Sequence, residues 1–353
     1  LGTGCPRASE PSVADPAQAK ELESSRKRVV ELERRLAGKD GKPGPWKIIN
    51  FHDHVYEMKH AETYIGAAKA AGIDKTILVA SPKYTIFGKG GSKTEGFDKN
   101  FQEIARIAKR WPDHFIPFSS IDPGSPDKLD MLKRHRALGA KGLKLYNGHS
   151  HFYVKEDGLM AEGMDEVLQY LIAEKMPCLW HVRMSSYLEE FEEKVLKKYP
   201  ELPIVVAHYG VAFWRPKGKL MKELPRLLDT YKNLYFDTSL GTRKILIDGQ
   251  ALMARHRKVF IDLMTRYPDR FVMGTDMVIT GNPEKTASWM GKVIWASRDQ
   301  LEQEQFTFDL AARWSKYKPK RGANADGRMR GLALPKDVLT QIYETTPKKL
   351  LGL

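Results

Sequence analysis

Strand-like and helical segments alternate along most of this 353-residue chain, and the alternation constrains its fold more than any other feature. Eight short apolar runs have the length and composition of buried β-strands. They cover residues 48–54, 76–80, 115–121, 142–146, 178–181, 204–208, 234–237 and 271–274. Helical patterns separate them, at residues 61–71, 98–111, 126–138, 164–174, 187–199, 220–231 and 249–267. This order indicates an α/β protein with a parallel sheet, and the count of eight favours a closed (β/α)8 barrel over an open sheet.

The barrel is predicted to occupy residues 46–353, after an N-terminal extension. Residues 1–18 are polar and proline-rich, which indicates a disordered tail. A helical pattern at 19–36 has apolar residues at heptad spacing, and a linker at 38–45 is rich in glycine and proline. So short a helix is marginal alone and is expected to dimerise the chain, to pack on the barrel or to act as a spacer from a membrane. We expect the folded domain to keep its thermal midpoint within a few degrees when residues 1–45 are removed.

One segment interrupts the rhythm near the end of the chain. Residues 282–329 are rich in charged and aromatic side chains, and they are predicted to form a helical insertion after the eighth strand. A final helix is expected to begin near Pro335.

Charge and cysteine content narrow the partners and the compartment. The net charge is +14, but the basic residues are spread along the chain and no nucleic-acid-binding motif is visible, so we expect an anionic small molecule as partner. The two cysteines cannot form a disulfide framework, and Cys178 lies in a buried strand run. Cys5 weakly resembles a bacterial lipoprotein site, the alternative being an arbitrary end of the sequence. The expected compartment is the cytoplasm, or the bacterial envelope or periplasm if Cys5 is a lipid anchor, and we expect membrane contact only through that anchor.

Two histidines end the first predicted strand. The run leads into His52-Asp53-His54, and side chains two residues apart on a strand point to the same face. Two neighbouring imidazoles provide half of a tetrahedral metal site. Asp53 then points to the opposite face, where it serves packing or a turn. The alternative is a strand end that carries polar residues by chance.

Other strand ends carry residues that complete such a site. The fourth strand contains Lys144, the fifth ends in His181, the sixth ends in His208, and Asp276 follows the eighth. In a (β/α)8 barrel these ends meet at one mouth, and three imidazoles with a carboxylate suit zinc or a similar divalent ion. Taken singly, each residue has an alternative interpretation: His181 and His208 are strand-end histidines bonded to loops, Lys144 is a barrel residue whose amine reaches solvent, and Asp276 is a helix N-cap.

At these residues the chain resembles the amidohydrolase superfamily of metal-dependent barrels, in the amidohydrolase-related or "amidohydrolase 2" branch. The matching pieces are residues 51–54, 139–144, 181, 204–210, 267–276 and 332–353. The resemblance implies a (β/α)8 barrel in which His52, His54, His181 and Asp276 hold a divalent metal, with zinc the expected ion. It also implies that His208 is catalytic.

The resemblance leaves the role of Lys144 open. In two-metal members a lysine on this strand is carbamylated and bridges the ions, whereas in single-metal members it is structural or faces the substrate. We favour one ion per chain and a free Lys144, with two ions as the alternative. The sequence Glu344-Thr-Thr-Pro347 departs from the family pattern in the last helix, where it is expected to affect packing only.

Several further residues are candidates for substrate binding. Arg183 and Arg215 follow the fifth and sixth strands and are suited to clamp a carboxylate, with surface charge as the alternative. Tyr146 is expected to line the pocket, with packing near the strand end as the alternative. His149 and His151 follow the fourth strand, where they belong to a substrate loop, form an extra ligand pair or are solvated.

These observations predict a hydrolase in which metal-activated water attacks a C–O or C–N bond of a small, carboxylated substrate. Asp276 is expected to take the proton from that water, and His208 to stabilise an oxyanion or shuttle a proton. A lyase, either a decarboxylase or a hydratase, is the first alternative, because one scaffold supports several reactions. A non-catalytic binding barrel, dimerised or tethered by its N-terminal helix, is the second.

Overall fold

Parallel β-strands form the centre of the molecule. We describe it from a computed structural model through residues 44–87, 95–148, 158–242, 244–308 and 328–353. The strands of the main sheet are β1 (Ile48–Val55), β2 (Ile73–Val79), β3 (Phe115–Ser120), β4 (Gly142–Leu145), β5 (Cys178–Trp180), β6 (Ile204–Val206), β7 (Leu234–Asp237), β8 (Phe271–Val272) and β9 (Met277–Ile279). From β1 to β8, strands that follow each other in the sequence are neighbours in the sheet, and every pair is parallel.

The sheet closes through its last two strands. β8 pairs with β7, and β9 pairs with β1 on the side that β2 leaves free. Between β8 and β9, the Phe51 amide donates to the Met273 carbonyl at 2.7 Å, and the Asp276 amide donates to the His52 carbonyl at 2.7 Å. β8 and β9 are therefore two halves of one eighth strand, and their junction brings Asp276 beside the histidines of β1.

Helices follow the strands and cover the outside of the barrel. They are α1 (Met58–Ala70), α2 (Lys83–Phe87), α3 (Phe97–Arg110), α4 (Lys128–Ala137), α5 (Met164–Ala173), α6 (Met184–Phe191), α7 (Lys219–Thr230), α8 (Lys244–Arg255), α9 (Arg257–Arg266), α10 (Ala287–Glu302), α11 (Lys336–Thr340) and α12 (Thr346–Leu351). Helix α3 shows why these segments are helical, since its apolar residues fall on one buried face while charged residues fill the other. None of the helices in the described ranges is long and apolar enough to cross a membrane.

The buried core has two layers. One fills the barrel and includes Phe51 and Phe118, whose rings meet edge to face at 5.8 Å. The other lies between the strands and the helices and is larger. β1 shifts its pairing register with β2 between Asn50 and Asp53. A shift of this kind re-aims side chains locally, and it lies directly before the two histidines.

All eight predicted strands are present, and the α/β barrel with parallel strands is confirmed. β9 was not predicted, because three apolar residues after Asp276 are too few to indicate a strand. The helix predicted at 249–267 is two helices that meet at His256.

The segment predicted as an insertion contains helix α10, which packs on α1, and an antiparallel ribbon of β10 (Gln305–Thr307) and β11 (Arg328–Arg330). Residues 309–327 lie outside the described ranges, as do the predicted tail and N-terminal helix. The helical insertion and the role of the extension stay predictions.

Candidate metal centre

Histidine and aspartate side chains converge at the carboxyl end of the barrel. His52 and His54 lie on β1, His208 follows β6, and Asp276 lies between β8 and β9. One ligand atom each from His52, His208 and Asp276 lies within 4.8 Å of the others. The carboxyl ends of the strands are the face on which barrels of this type carry their active sites.

His52 is held so that one ring nitrogen faces the centre. Its Nδ1 lies 2.8 Å from Oδ2 of Asp237, while its Nε2 lies 3.0 Å from Nζ of Lys144 and 3.5 Å from Oδ1 of Asp276. Although burial alone would raise it, His52, His208 and Lys144 hold the pKa of Asp237 well below its usual range. The Asp237 carboxylate can therefore only accept, so Nδ1 of His52 carries the proton and Nε2 presents a lone pair.

His208 faces the same centre from a left-handed turn. Its φ is 57°, and the turn follows β6 directly. Its Nδ1 lies 3.0 Å from the carbonyl oxygen of Ser239 and 2.8 Å from the Ser239 hydroxyl. Because a carbonyl only accepts, Nδ1 carries the proton, and the Nε2 lone pair faces Oδ2 of Asp276 at 3.7 Å. His181 is next to it, with ring centroids 4.8 Å apart.

His54 completes the first-strand pair. Its Nε2 lies 2.8 Å from Oδ1 of Asp276, and its Nδ1 lies 2.6 Å from the Ser81 hydroxyl. The Ser81 hydroxyl also reaches the Val79 carbonyl at 2.9 Å. When Ser81 donates to that carbonyl, its oxygen accepts from Nδ1 of His54, and Nε2 then meets the carboxylate without a proton between them.

This donor set fits a divalent cation. Burial lowers the pKa of His52 to about 4 and also lowers the pKa of His54, so both rings are neutral at pH 7. Although burial alone would raise it, the neighbouring histidines hold the pKa of Asp276 well below its usual range. Ring lone pairs and a carboxylate thus face one another, an arrangement that a cation stabilises and that matches the nitrogen and oxygen ligands of zinc.

Asp53 lies on the opposite face of β1, as predicted, and has a complete set of partners. Its Oδ1 accepts from the Thr275 hydroxyl and from the Met277 amide at 2.7 Å. Its Oδ2 accepts from the Tyr64 hydroxyl and the Asn50 amide, each at 2.7 Å. Burial raises the pKa of Asp53 to about 7. Through Thr275 and Met277, Asp53 holds the backbone on both sides of Asp276, which itself has a left-handed φ of 54°.

Lys144 and Tyr146 lie inside the barrel mouth, next to this centre. Both are buried, and Nζ of Lys144 lies 5.2 Å from the centre of the Tyr146 ring. Burial lowers the pKa of Lys144 to about 8, so the ammonium form prevails at pH 7. The Tyr146 hydroxyl donates to the Ala80 carbonyl at 3.1 Å, and its ring stacks on Phe97. Packing therefore accounts for the position of Tyr146, and substrate contact by this residue stays a prediction.

The remaining candidates lie at the rim. Arg183 is exposed at the start of α6, where its backbone amide donates to the Gly148 carbonyl at 3.1 Å. Arg215 is exposed before α7. His149 and His151 lie outside the described residues. Substrate binding by these four side chains stays a prediction.

Comparison with known proteins identifies the family. A family model described as "Amidohydrolase" matches residues 80–353. The chain belongs to the amidohydrolase family. This confirms the resemblance found in the sequence motifs, although His52 and His54 precede the matched residues and enter the centre through the geometry described above.

Solved structures of other proteins share the fold of this chain. An uncharacterised TIM-barrel protein from Bordetella bronchiseptica is 14% identical, with a TM-score of 0.54 over 87% of this chain and 99% of that chain. An amidohydrolase from Burkholderia multivorans is 11% identical, with a TM-score of 0.52 over 87% of this chain and 100% of that chain. At such identities the likeness concerns the fold alone. No curated protein matches the chain.

The residues that orient the histidines were not predicted from the sequence. Asp237, Ser239 and Ser81 each bond the Nδ1 atom of a histidine in the centre. One signal was present, since Asp237 ends the seventh predicted strand at the position where other strands end in His181 or His208. The two serines have no comparable signal, because serine is common in loops of every kind.

Proposed function

We propose that the protein is a metal-dependent hydrolase in which activated water attacks a C–O or C–N bond of a small, carboxylated substrate. One observation carries this proposal, namely that His52 and His208 turn lone pairs rather than protons toward the carboxylate of Asp276 at the barrel mouth. A binding protein has no need for this arrangement of ring nitrogens.

In this proposal His52, His54, His181 and Asp276 hold one divalent ion, with zinc expected. When bound, the ion would acidify a water molecule and polarise a substrate oxygen. Contacts with Asp276 support His52 and His54 as ligands, at 3.5 and 2.8 Å. His181 is assigned through its family position and its contact with His208.

The protein side chains have separate tasks. Asp276 accepts the proton of the attacking water, since it is an ionised carboxylate placed among the histidines at the barrel mouth. His208 hydrogen-bonds the oxyanion or passes a proton to the leaving group, and the Ser239 carbonyl holds its ring in place. Lys144 is a buried cation beside these groups, which suits an anionic substrate. Arg183 and Arg215 would add charge at the rim.

The experiment begins with the metal. Zinc content is measured in the purified protein by elemental analysis, the metal is removed with a chelator, and Zn²⁺, Mn²⁺ or Co²⁺ is restored. Both forms are then tested on carboxylated lactones, esters and amides, and on aromatic acids. We expect turnover that disappears with chelation and returns with metal. His52→Ala should lose metal and turnover, whereas His114→Ala, at a histidine on the loop before β3, should keep both.

Product analysis separates the reaction classes. Incorporation of ¹⁸O from labelled water into a cleaved product identifies a hydrolase. Release of carbon dioxide without cleavage of an ester or amide, or addition of water to a double bond, would assign the same centre to a lyase. Metal binding with no turnover on any of these substrates would favour a binding barrel, and a protein that binds no divalent metal would overturn the proposal.

A further inference from the structure

Asp237 contacts two histidines of the centre, His52 and His208, from the end of β7. Its side chain is fully buried, and Oδ2 lies 2.8 Å from Nδ1 of His52. Its other oxygen, Oδ1, accepts the backbone amide of His208 at 2.8 Å, the backbone amide of Ser239 at 3.0 Å and the Ser239 hydroxyl at 2.6 Å. One carboxylate therefore joins the ring of one histidine to the backbone of another.

We propose that Asp237 is a positioning residue that sets the ring tautomer of His52 and fixes the turn that carries His208. Insofar as it concerns metal binding, this inference rests on the proposed function. The two oxygens divide the work, since Oδ2 acts on the ring and Oδ1 acts on the backbone. These two roles together predict how replacement of Asp237 by its neutral isostere, asparagine, changes the tautomer of His52.

The backbone role is visible in the turn itself. Four consecutive residues after Ala207 have left-handed φ angles, namely His208, Tyr209, Gly210 and Val211. This conformation is costly for residues other than glycine, and most of all for a β-branched one. Hydrogen bonds from outside the turn are needed to hold it, and the bond from the His208 amide to Oδ1 of Asp237 is one of them.

The ring role follows from counting donors. In Asp237→Asn, the side-chain amide has one accepting oxygen and one donating nitrogen. The oxygen must face the amides of His208 and Ser239, because a backbone amide cannot give up its proton. The nitrogen of the new side chain then faces Nδ1 of His52 and donates to it. His52 must respond by moving its proton to Nε2, which removes the lone pair that faces the centre.

Lys144 does not block this change. Its ammonium group donates to Nε2 of His52 at 3.0 Å, so a proton on Nε2 would bring two donors together. The lysine side chain has rotatable bonds and can move away to relieve that contact. The backbone amides that face Oδ1 cannot, so they decide the orientation of the substituted side chain.

The test uses histidine tautomers as well as metal binding. In metal-free protein labelled with ¹⁵N-histidine, long-range ¹H–¹⁵N spectra report the protonated nitrogen of each ring, and a His52→Gln spectrum assigns the His52 signals. We expect the Nδ1–H form in the wild type and the Nε2–H form in Asp237→Asn. In a competition titration, Zn²⁺ affinity should fall by about 10- to 100-fold in the variant, as for other residues that orient metal ligands.

Asp98→Asn is the matched control. Asp98 on α3 also bonds a buried histidine, His135 on α4, at 2.9 Å, but neither residue belongs to the metal centre. The control should leave both the His52 tautomer and the Zn²⁺ affinity unchanged. It thus separates the effect of a lost histidine–carboxylate pair in general from the effect of this pair.

The outcomes separate this inference from the proposed function. If the wild type binds no Zn²⁺, the proposed function fails, but the tautomer spectra still decide the role of Asp237. A His52 ring that keeps Nδ1–H in Asp237→Asn, with unchanged Zn²⁺ affinity, would overturn the inference. If Asp237→Asn does not fold, the wild-type spectrum decides, since an Nε2–H form of His52 there contradicts the proposed bond to Asp237.

Discussion

Asp53 and Asp276 lie on opposite faces of one pair of strands, and their surroundings differ in kind. Asp53 lies opposite Met277 in the register of β1 and β9, and Asp276 is the residue before it. Four donors surround the oxygens of Asp53, and each has a proton to give. Asp276 instead faces ring nitrogens, and the Nε2 atoms of His52 and His208 present lone pairs to it.

The difference shows how a fold distinguishes a structural carboxylate from a functional one. Protein donors alone complete the coordination of Asp53, so it contributes to stability without a ligand. In the described part of the chain Asp276 faces the ring nitrogens of His52, His54 and His208 rather than such donors, and a positive ion is the partner that these surroundings favour. Asp53 is fully buried and Asp276 is partly exposed at the mouth, but the residue type is the same, so the informative property is the number of protons that the neighbours can offer.

The same criterion, the number of protons that neighbouring groups can donate, applies to a second histidine cluster. Ser119 on β3, His135 on α4 and Asp98 on α3 form a chain of hydrogen bonds of 2.7 and 2.9 Å. The nearest other acceptor for the Ser119 hydroxyl, the Ser120 carbonyl, is 3.5 Å away, so the hydroxyl donates to His135 and the ring donates to Asp98. Every group has a proton partner, and the ring stacks on Phe101 at 3.9 Å. This Ser–His–Asp chain is structural.

The largest effect is expected from Asp276→Ala. Removal of the proposed base should lower turnover by about 10³-fold, and it should weaken Zn²⁺ binding. The free energy of unfolding of metal-free protein should stay within about 0.5 kcal/mol of the wild type or rise, because the substitution removes one acceptor that faces others. Steady-state assays and urea denaturation measure the two quantities. A fall of several kcal/mol in the free energy of unfolding would show that Asp276, like Asp53, is needed for stability.

Asp53→Ala should have the opposite profile. Four buried donors would lose their acceptor, so we expect the free energy of unfolding to fall by about 3 kcal/mol. Urea denaturation of metal-free protein measures this change. Asp74→Ala removes an exposed carboxylate from β2 and serves as the control, with little change expected. Equal stability of Asp53→Ala and Asp74→Ala would show that the donors around Asp53 find other partners.

His208→Ala tests which histidines belong to which role. The proposal assigns His181 to the metal and His208 to catalysis, although His208 rather than His181 shares the 4.8 Å cluster with His52 and Asp276. We expect His208→Ala to keep its Zn²⁺ and to lose about 10²-fold in turnover, while His181→Ala loses the ion. Elemental analysis of both variants decides. Loss of Zn²⁺ from His208→Ala with retention in His181→Ala would exchange the two assignments.

Much of the fold was predictable because it depends on local patterns. Each strand is a short apolar run bounded by polar residues, and the crossover rule for parallel strands leaves few topologies. In a barrel the last polar residue of each strand lies at the mouth. For this reason His52, His54, His208 and Asp276 could be grouped from the sequence.

Other features depend on contacts that leave no local pattern. The left-handed turn at His208 is held by Asp237 from the next strand, and nothing in the sequence around residue 208 indicates it. The division of the eighth strand into β8 and β9 depends on Asp53, across the sheet. The hydroxyl of Tyr146 bonds a backbone carbonyl, which sequence patterns do not report. In each case a partner distant in the sequence decides the conformation.

The smallest effect that we predict concerns the number of bound metal ions, which depends on whether Lys144 is free or carbamylated. A carbamylated lysine would be an anion and could bridge two ions, whereas a free lysine is a cation. At pH 7 the ammonium form prevails, because the pKa of about 8 lies above that pH, and its Nζ lies 3.0 Å from Nε2 of His52. The lysine thus supplies positive charge at the barrel mouth, where Asp276 and the neighbouring histidines already provide the ligands for one ion.

We therefore expect about one Zn²⁺ per chain and an unmodified Lys144. Elemental analysis gives the stoichiometry, and mass spectrometry of the native protein reports any added mass on the lysine. The control is protein prepared with and without added bicarbonate, since a carbamate forms only from carbon dioxide. A stoichiometry near two that falls when carbon dioxide is removed would show that Lys144 is a bridging anion. The barrel mouth would then carry two anionic ligands, Asp276 and the carbamate of Lys144. The contrast with Asp53 would then concern two residues rather than one.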